Sequence, residues 1–92
     1  MVKYVNSSFN DFAYLSRVAE RIKEQYPEGT RIVLLHMGDD PRPIPSGTRG
    51  TVSCVDDIGT VFVDFDNGRH LGLAYGEDGY RKLTEEELAE EQ

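Results

Sequence analysis

Gly47-Thr48-Arg49-Gly50-Thr51-Val52-Ser53-Cys54-Val55-Asp56-Asp57-Ile58-Gly59-Thr60-Val61-Phe62-Val63-Asp64-Phe65-Asp66-Asn67-Gly68-Arg69-His70-Leu71-Gly72-Leu73 is the stretch that decides the fold. Val52 and Cys54, with Ile58 beyond, alternate with Thr51, Ser53 and Asp56. Val61, Val63 and Phe65 alternate with Phe62, Asp64 and Asp66. A period of two places alternate side chains on opposite faces of a strand. Asn67-Gly68 fits a two-residue hairpin turn whose central residues both take positive φ. Asp56-Asp57-Ile58-Gly59 reads as a looser turn, with Gly59 in a left-handed position. The stretch therefore predicts a three-stranded meander with one apolar face, and Cys54 as a small core residue. A meander of this size needs a cover for that face.

The segments on either side supply candidates for the cover. Thr30 to Met37 alternates Ile32, Leu34 and His36 with Val33, Leu35 and Met37. Both sets are largely apolar, which predicts a central strand buried on two sides. Between it and the meander, Pro41, Pro43 and Pro45 alternate with Arg42, Ile44 and Ser46. Proline at every second position blocks helix and ladder alike, so Gly38 to Gly47 reads as a semi-extended excursion. Further upstream, Phe12, Leu15, Ala19, Ile22 and Tyr26, flanked by Val18, make one face of an amphipathic helix. Ser8 or Asn10 can cap it, and Pro27 ends it. Residues 1 to 7 read as an extended lead-in. Downstream, Ala74 to Gly79 reads as a loop and Tyr80 to Leu83 as a short closing strand. Thr84 with Glu87 forms a capping-box pattern for a last helical turn. That turn has only Leu88 to bury and is expected to fray. Five short strands close most simply into a small barrel, with the first helix plugging one open end. The fold class is thus mainly β with an N-terminal α-helix. Residues 1–27 form the lead-in and helix, 28–83 the barrel and 84–92 an acidic tail, all in one folded unit.

Composition bounds the function. The 92 residues suffice for one small core. At 38 % hydrophobic and 29 % charged, the chain suits a soluble globular protein. No apolar run is long enough to span a bilayer, and the N-terminus lacks the apolar centre of a secretory signal. The single cysteine cannot form an internal disulfide, which fits a reducing cytoplasm. The net charge of −7 is concentrated beyond residue 35. An acidic surface disfavours direct nucleic-acid binding.

Two resemblances follow from the motifs. Pro45-x-Gly-Thr-x-Gly-Thr-Val52, then Asp-Asp-x-Gly and Val61-x-Val-x-Phe-Asp-Asn-Gly68, resembles the strand–turn–strand pattern of SH3-like and KOW-type barrels. More closely, Arg21 to Arg31, Met37-x-Asp-Asp-Pro41, Gly47 to Val52 and the Asp66-Asn67-Gly68 hairpin resemble a family of small SH3-like proteins of bacterial phages and conjugative elements. The resemblance runs from about Glu20 to Leu83. It implies a five-stranded SH3-like barrel from a mobile element, made in the bacterial cytoplasm. It carries no activity and no catalytic residues to transfer.

The residues themselves give no catalytic site. His36 and His70 lack a partner at metal-ligand spacing. Asp39-Asp40 and Asp56-Asp57 sit where turns want aspartate, and Asp64 and Asp66 read as a solvated strand face. No serine lies in a nucleophile elbow, and Gly47-x-x-Gly50 lacks the features of a phosphate loop. The expectation is therefore no enzyme, no metal and no cofactor. The candidate binding surface is the proline segment with its neighbours: Arg42, Ile44, Arg49, Tyr75 and Tyr80. Aromatic and arginine side chains at such a loop suit a partner surface. The sequence thus predicts a non-enzymatic interaction module that binds a bacterial host or phage protein, in one version as an inhibitor of host defence. Capture of a nucleotide signal by Arg42, Arg49, Tyr75 and Tyr80 is the alternative, and an acidic mimic of nucleic acid a third. The first helix offers a route to a homodimer.

Overall fold

The computed structural model describes residue 14 and residues 16–92, except 39 and 75. The extended lead-in, the caps Ser8 and Asn10, and Phe12, Leu15, Asp39 and Tyr75 lie outside the described residues. Helix α1 is described over 16–25. Five strands follow: β1 (Arg31–His36), β2 (Arg49–Val55), β3 (Val61–Phe65), β4 (His70–Leu73) and β5 (Gly79–Lys82). Helix α2 (Glu85–Glu90) ends the chain. The strands form one antiparallel sheet in the order β4-β3-β2-β1-β5. β1 pairs along both edges, but the expected burial of both its faces holds only in part: Val33 is buried on the outer face and Leu35 is 47 % exposed. No pairing joins β4 to β5 among the described residues, so the sheet is open along its hydrogen bonds.

The inner face holds the core. Ile32, Leu34, Val52, Val61, Val63, Phe65 and Leu73 are buried together there, with Ile22 of α1 packed among them. The strict alternation of β3, with Val61, Val63 and Phe65 buried and Phe62 and Asp64 exposed, is the one the sequence shows. α1 presents the expected stripe. Ala19 and Ile22 are buried, while Val18 and Tyr26 pack at the margin. Its last described turn closes with Tyr26 N–H donating to the Ile22 carbonyl at 2.8 Å, directly before Pro27. Lys23 Nζ reaches Asp57 Oδ1 at 2.8 Å, tying α1 to the β2–β3 turn. α1 packs toward the sheet's inner face through Ile22 and Tyr26.

Three local expectations are corrected. Cys54 is exposed, because the β2–β3 register shifts between Val52 and Cys54 and turns the thiol to the outer face opposite Phe62. His36 leaves the face of Ile32 and Leu34 for the same reason, since the β1–β5 register shifts between Leu34 and His36. A bulged residue breaks the period of two. The β3–β4 turn is not the two-residue form. Among the described residues none other than glycine takes positive φ, so Asn67 cannot fill its place. Instead Gly68 N–H donates to the Phe65 carbonyl at 2.9 Å, and Gly68 alone is left-handed at φ +91°. That is the three-residue loop ending in a glycine bulge. The β2–β3 turn repeats it, with Gly59 N–H donating to the Asp56 carbonyl at 3.1 Å and Gly59 at φ +84°.

Candidate interaction surface

The proline segment does not present its residues together. Ile44 is 2 % exposed and belongs to the core, so it anchors the segment to the inner face and supplies no surface. Arg42 is exposed. Its backbone is fixed on both sides: its N–H donates to Asp40 Oδ1 at 2.7 Å, and its carbonyl accepts from Arg69 Nη1 at 2.7 Å. Tyr80, on β5, meets Tyr26 of α1 edge to face, with ring centroids 5.3 Å apart. Burial raises the Tyr26 phenol above its ordinary value. Lys82 Nζ stands over the same Tyr26 ring at 5.5 Å. Tyr80 and Lys82 thus face inward, toward α1. Arg49 points to the opposite face.

That outer face is where charge is organised. Directly paired residues of an antiparallel ladder share a face. Arg49 pairs with Val33, and Val33 with Arg81. Arg31 pairs with Thr51 in the neighbouring row. Three arginines therefore stand on one side of β5, β1 and β2, and α2 lies over them. Arg81 grips Glu87 in a fork, Nη1 to Oε1 at 2.7 Å and Nη2 to Oε2 at 3.0 Å. Arg49 reaches the Glu87 carbonyl and Glu91 Oε2 at 3.4 Å and Glu90 Oε1 at 3.3 Å. Arg31 Nε donates to Glu91 Oε1 at 3.0 Å, and its Nη2 also contacts Glu91 Oε2. The same guanidinium forks onto Asp66, at 2.8 and 2.7 Å, and reaches Thr51 Oγ1 at 3.1 Å. Arg31 holds the Asp66 and Glu91 carboxyls below their ordinary ranges. Glu87 is held down to about 2, first by Arg81 and then by the Thr84 backbone N–H.

Thr84 and Glu87 make the capping box the sequence shows. Thr84 N–H donates to Glu87 Oε1 at 2.8 Å, and Glu87 N–H to Thr84 Oγ1 at 3.1 Å. α2 buries no residue, and Leu88 remains 38 % exposed. Arginine contacts stand where an apolar anchor is missing.

The signal for this arrangement was a repeat. Pro27-Glu28-Gly29-Thr30-Arg31 and Pro45-Ser46-Gly47-Thr48-Arg49 share a pattern. In both, the threonine N–H and Oγ1 donate to the proline carbonyl, and the glycine takes φ +92°. That is the turn type which needs positive φ at its third position. Each turn feeds one strand, β1 or β2. Gly29 N–H bonds the Val52 carbonyl and Gly47 N–H the Leu34 carbonyl, from opposite ends of the β1–β2 ladder. The two arginines thereby emerge on the same face, both within reach of Glu91.

The rest of the outer face is open. Phe62 is 38 % exposed, and a shallow hollow of about 250 Å³ lies beside it, lined by Ser53, Asp64, His70, Leu71 and Gly72. Gly72 pairs with Phe62, and a β-carbon there would stand 3.0 Å from the ring. His70 Nδ1 lies 2.7 Å from Asp64 Oδ1, an exposed pair on this face. Asp56 serves its turn, its Oδ1 accepting from the N–H groups of Ile58 and Thr60 at 3.0 and 2.8 Å. Among the described residues no three metal-binding side chains converge, and no helix is long and apolar enough to cross a membrane.

These features define a mainly β unit: five antiparallel strands, a helix on each face and a charged surface occupied by the chain's own last helix. The chain belongs to the family described as Domain of unknown function (DUF4314), which matches residues 16–83. No curated protein matches it.

Proposed function

We propose that this chain is a non-enzymatic protein-interaction module on an SH3-like scaffold. The strand order supports the scaffold, since a meander β2-β3-β4 with β1 between β2 and β5 is the connectivity a small, strongly bent barrel uses. The observation that carries the function is the open half of the outer face. Phe62 stands half exposed over a shallow hollow, beside edge strand β4, whose outer edge pairs with no described strand. Ile58, 66 % exposed, adds a second apolar side chain at the β2–β3 turn. An aromatic anchor with a neighbouring pocket and a polar rim suits a protein partner. On this reading the module is one of a phage or mobile element, acting in the bacterial cytoplasm on a host or phage protein, with a host-defence system as one target; the sequence resemblance is what suggests it. Nucleotide capture has less support, because Arg49 is engaged by α2. A nucleic-acid mimic has less as well, because Glu87, Glu90 and Glu91 turn toward arginines.

The immobilised 92-residue chain and its Phe62→Asp variant, exposed to bacterial lysate, test the reading. A stoichiometric protein retained by the native chain and lost by the variant supports it. No stoichiometric partner on the native chain overturns it.

A further inference from the structure

Five of the seventeen acidic residues, Glu85, Glu86, Glu87, Glu90 and Glu91, lie in α2 and the residue after it. α2 has six residues and buries none. A helix this short does not persist alone in water. Its helical form is sustained by its capping box and by Arg31, Arg49 and Arg81. Those arginines lie inside the matched family span, whereas α2 lies beyond it. The arginine face belongs to the sheet, and α2 is held to it by charge, with no residue of its own buried.

We propose that the Arg31–Arg49–Arg81 face is a docking site for an acidic helix of a partner protein, and that α2 occupies it in cis until the partner displaces it. The proposal rests on the interaction-module reading and names a second surface for it. Charge and spacing select the occupant. Glu87 and Glu91, four residues apart, fall on one side of a helix. They meet Arg81 on β5 and Arg31 on β1, and Glu90 meets Arg49 on β2. Guanidinium forks match carboxylates placed at this interval. Asp66 shares the Arg31 guanidinium, and Asp64 stands on the same face. A phosphate backbone laid here would meet these two carboxylates. An acidic helix aligned as α2 is meets arginines. The cis contacts are only part-buried, with the Arg81 side chain 45 % exposed and that of Glu90 68 %. Contacts of that kind are individually weak and exchangeable.

The test uses the full chain and a dye-labelled helical peptide carrying the sequence of residues 84–92. Binding is followed by anisotropy for the native chain and for Glu87→Gln/Glu90→Gln/Glu91→Gln. Glutamine at 87 can keep the capping box. Removing three carboxylates that make five part-exposed ion pairs is expected to tighten peptide binding about tenfold. Adding Arg49→Ala and Arg81→Ala should abolish the gain. Should the triple variant fail to melt cooperatively, Glu90→Gln/Glu91→Gln makes the same comparison. Equal peptide affinity for folded native and variant chains overturns the proposal. So does tighter binding of a DNA oligonucleotide than of the peptide. A native chain that dimerises with concentration while the glutamine variant does not would also overturn it, assigning the face to a second copy's α2. None of these outcomes bears on the Phe62 surface, so the two readings fail separately.

Discussion

Gly50 shows how one residue sets the close approach of two strands. It sits mid-strand in β2, paired with Phe65, and a β-carbon on it would stand 2.6 Å from Val63 Cγ1, 2.9 Å from the Asp64 carbonyl and 3.1 Å from Phe65 Cα. Two of those three atoms are backbone and cannot rotate away. Gly50→Ala is therefore expected to push β2 and β3 apart and lower stability by about 1–3 kcal/mol, checked by thermal melting. At this scale the sequence was half legible. Val61, Val63 and Phe65 announced their inward face, because nothing interrupts the alternation of β3. Cys54 and His36 were misplaced, because a bulge depends on how many residues two strands oppose, and neither strand alone carries that number. Asn67-Gly68 marked the hairpin but not its form. The choice between the two loop lengths was made by the pairing of Phe65 with Arg69, Phe65 N–H donating to the Arg69 carbonyl at 2.7 Å.

Among the elements, α1 and α2 dock by opposite physics. α1 brings Ile22 into the core, and its apolar spacing made it readable. α2 brings carboxylates to arginines, and reading it required noticing that Pro-x-Gly-Thr-Arg occurs twice and delivers Arg31 and Arg49 to one face. A pair of turns far apart in sequence becomes a site only once the strands they feed lie side by side. The charged docking implies a pH response of definite sign. The Glu87 carboxyl falls from 4.5 to about 2 in the folded chain, through Arg81 first. A depressed carboxyl stabilises the docked form above its unfolded value and loses that contribution as pH falls through its folded one. Docking of α2 should therefore be complete above about pH 4.5 and be lost toward pH 2. Glu91 and Asp66 shift in the same direction and reinforce the loss. Amide exchange reads it directly. The Leu88 N–H, bonded to the Thr84 carbonyl at 2.9 Å, should lose protection in that window. The Val52 N–H, bonded to the Thr30 carbonyl at 2.9 Å in the sheet, should keep it. About 1 M sodium chloride at neutral pH should loosen Leu88 in the same selective way, since exposed ion pairs are screened at that ionic strength. Parallel loss at both amides would show that α2 and the sheet unfold as one.

Over the whole molecule, these two attachments make the sheet a wall with unlike sides. On the inner side Ile22, Ile44 and the strand residues are withdrawn from water together, so a cavity there is felt throughout. On the outer side the guanidinium–carboxylate contacts remain wet, so their loss stays local. The contrast predicts an ordering of variants. Ile22→Ala removes a side chain from the packed cluster and should cost about 2–5 kcal/mol, a fall in melting temperature on the order of 10–30 °C for a domain of this length. Arg81→Ala removes a two-point grip on α2 yet should leave the global melting temperature nearly unchanged, as expected for an exposed ion pair. The amide readout inverts that order: Arg81→Ala should abolish Leu88 protection with the sheet amides protected, whereas Ile22→Ala should lower protection across all five strands. Sulfate separates the sides further. It strengthens apolar burial by exclusion from protein surface while its ionic strength screens the arginines. The native chain in sodium sulfate should therefore melt at a higher temperature with α2 already released. A melting temperature that fell with sulfate, or that Arg81→Ala lowered as far as Ile22→Ala, would mean that the charged side and not the apolar side holds the sheet together.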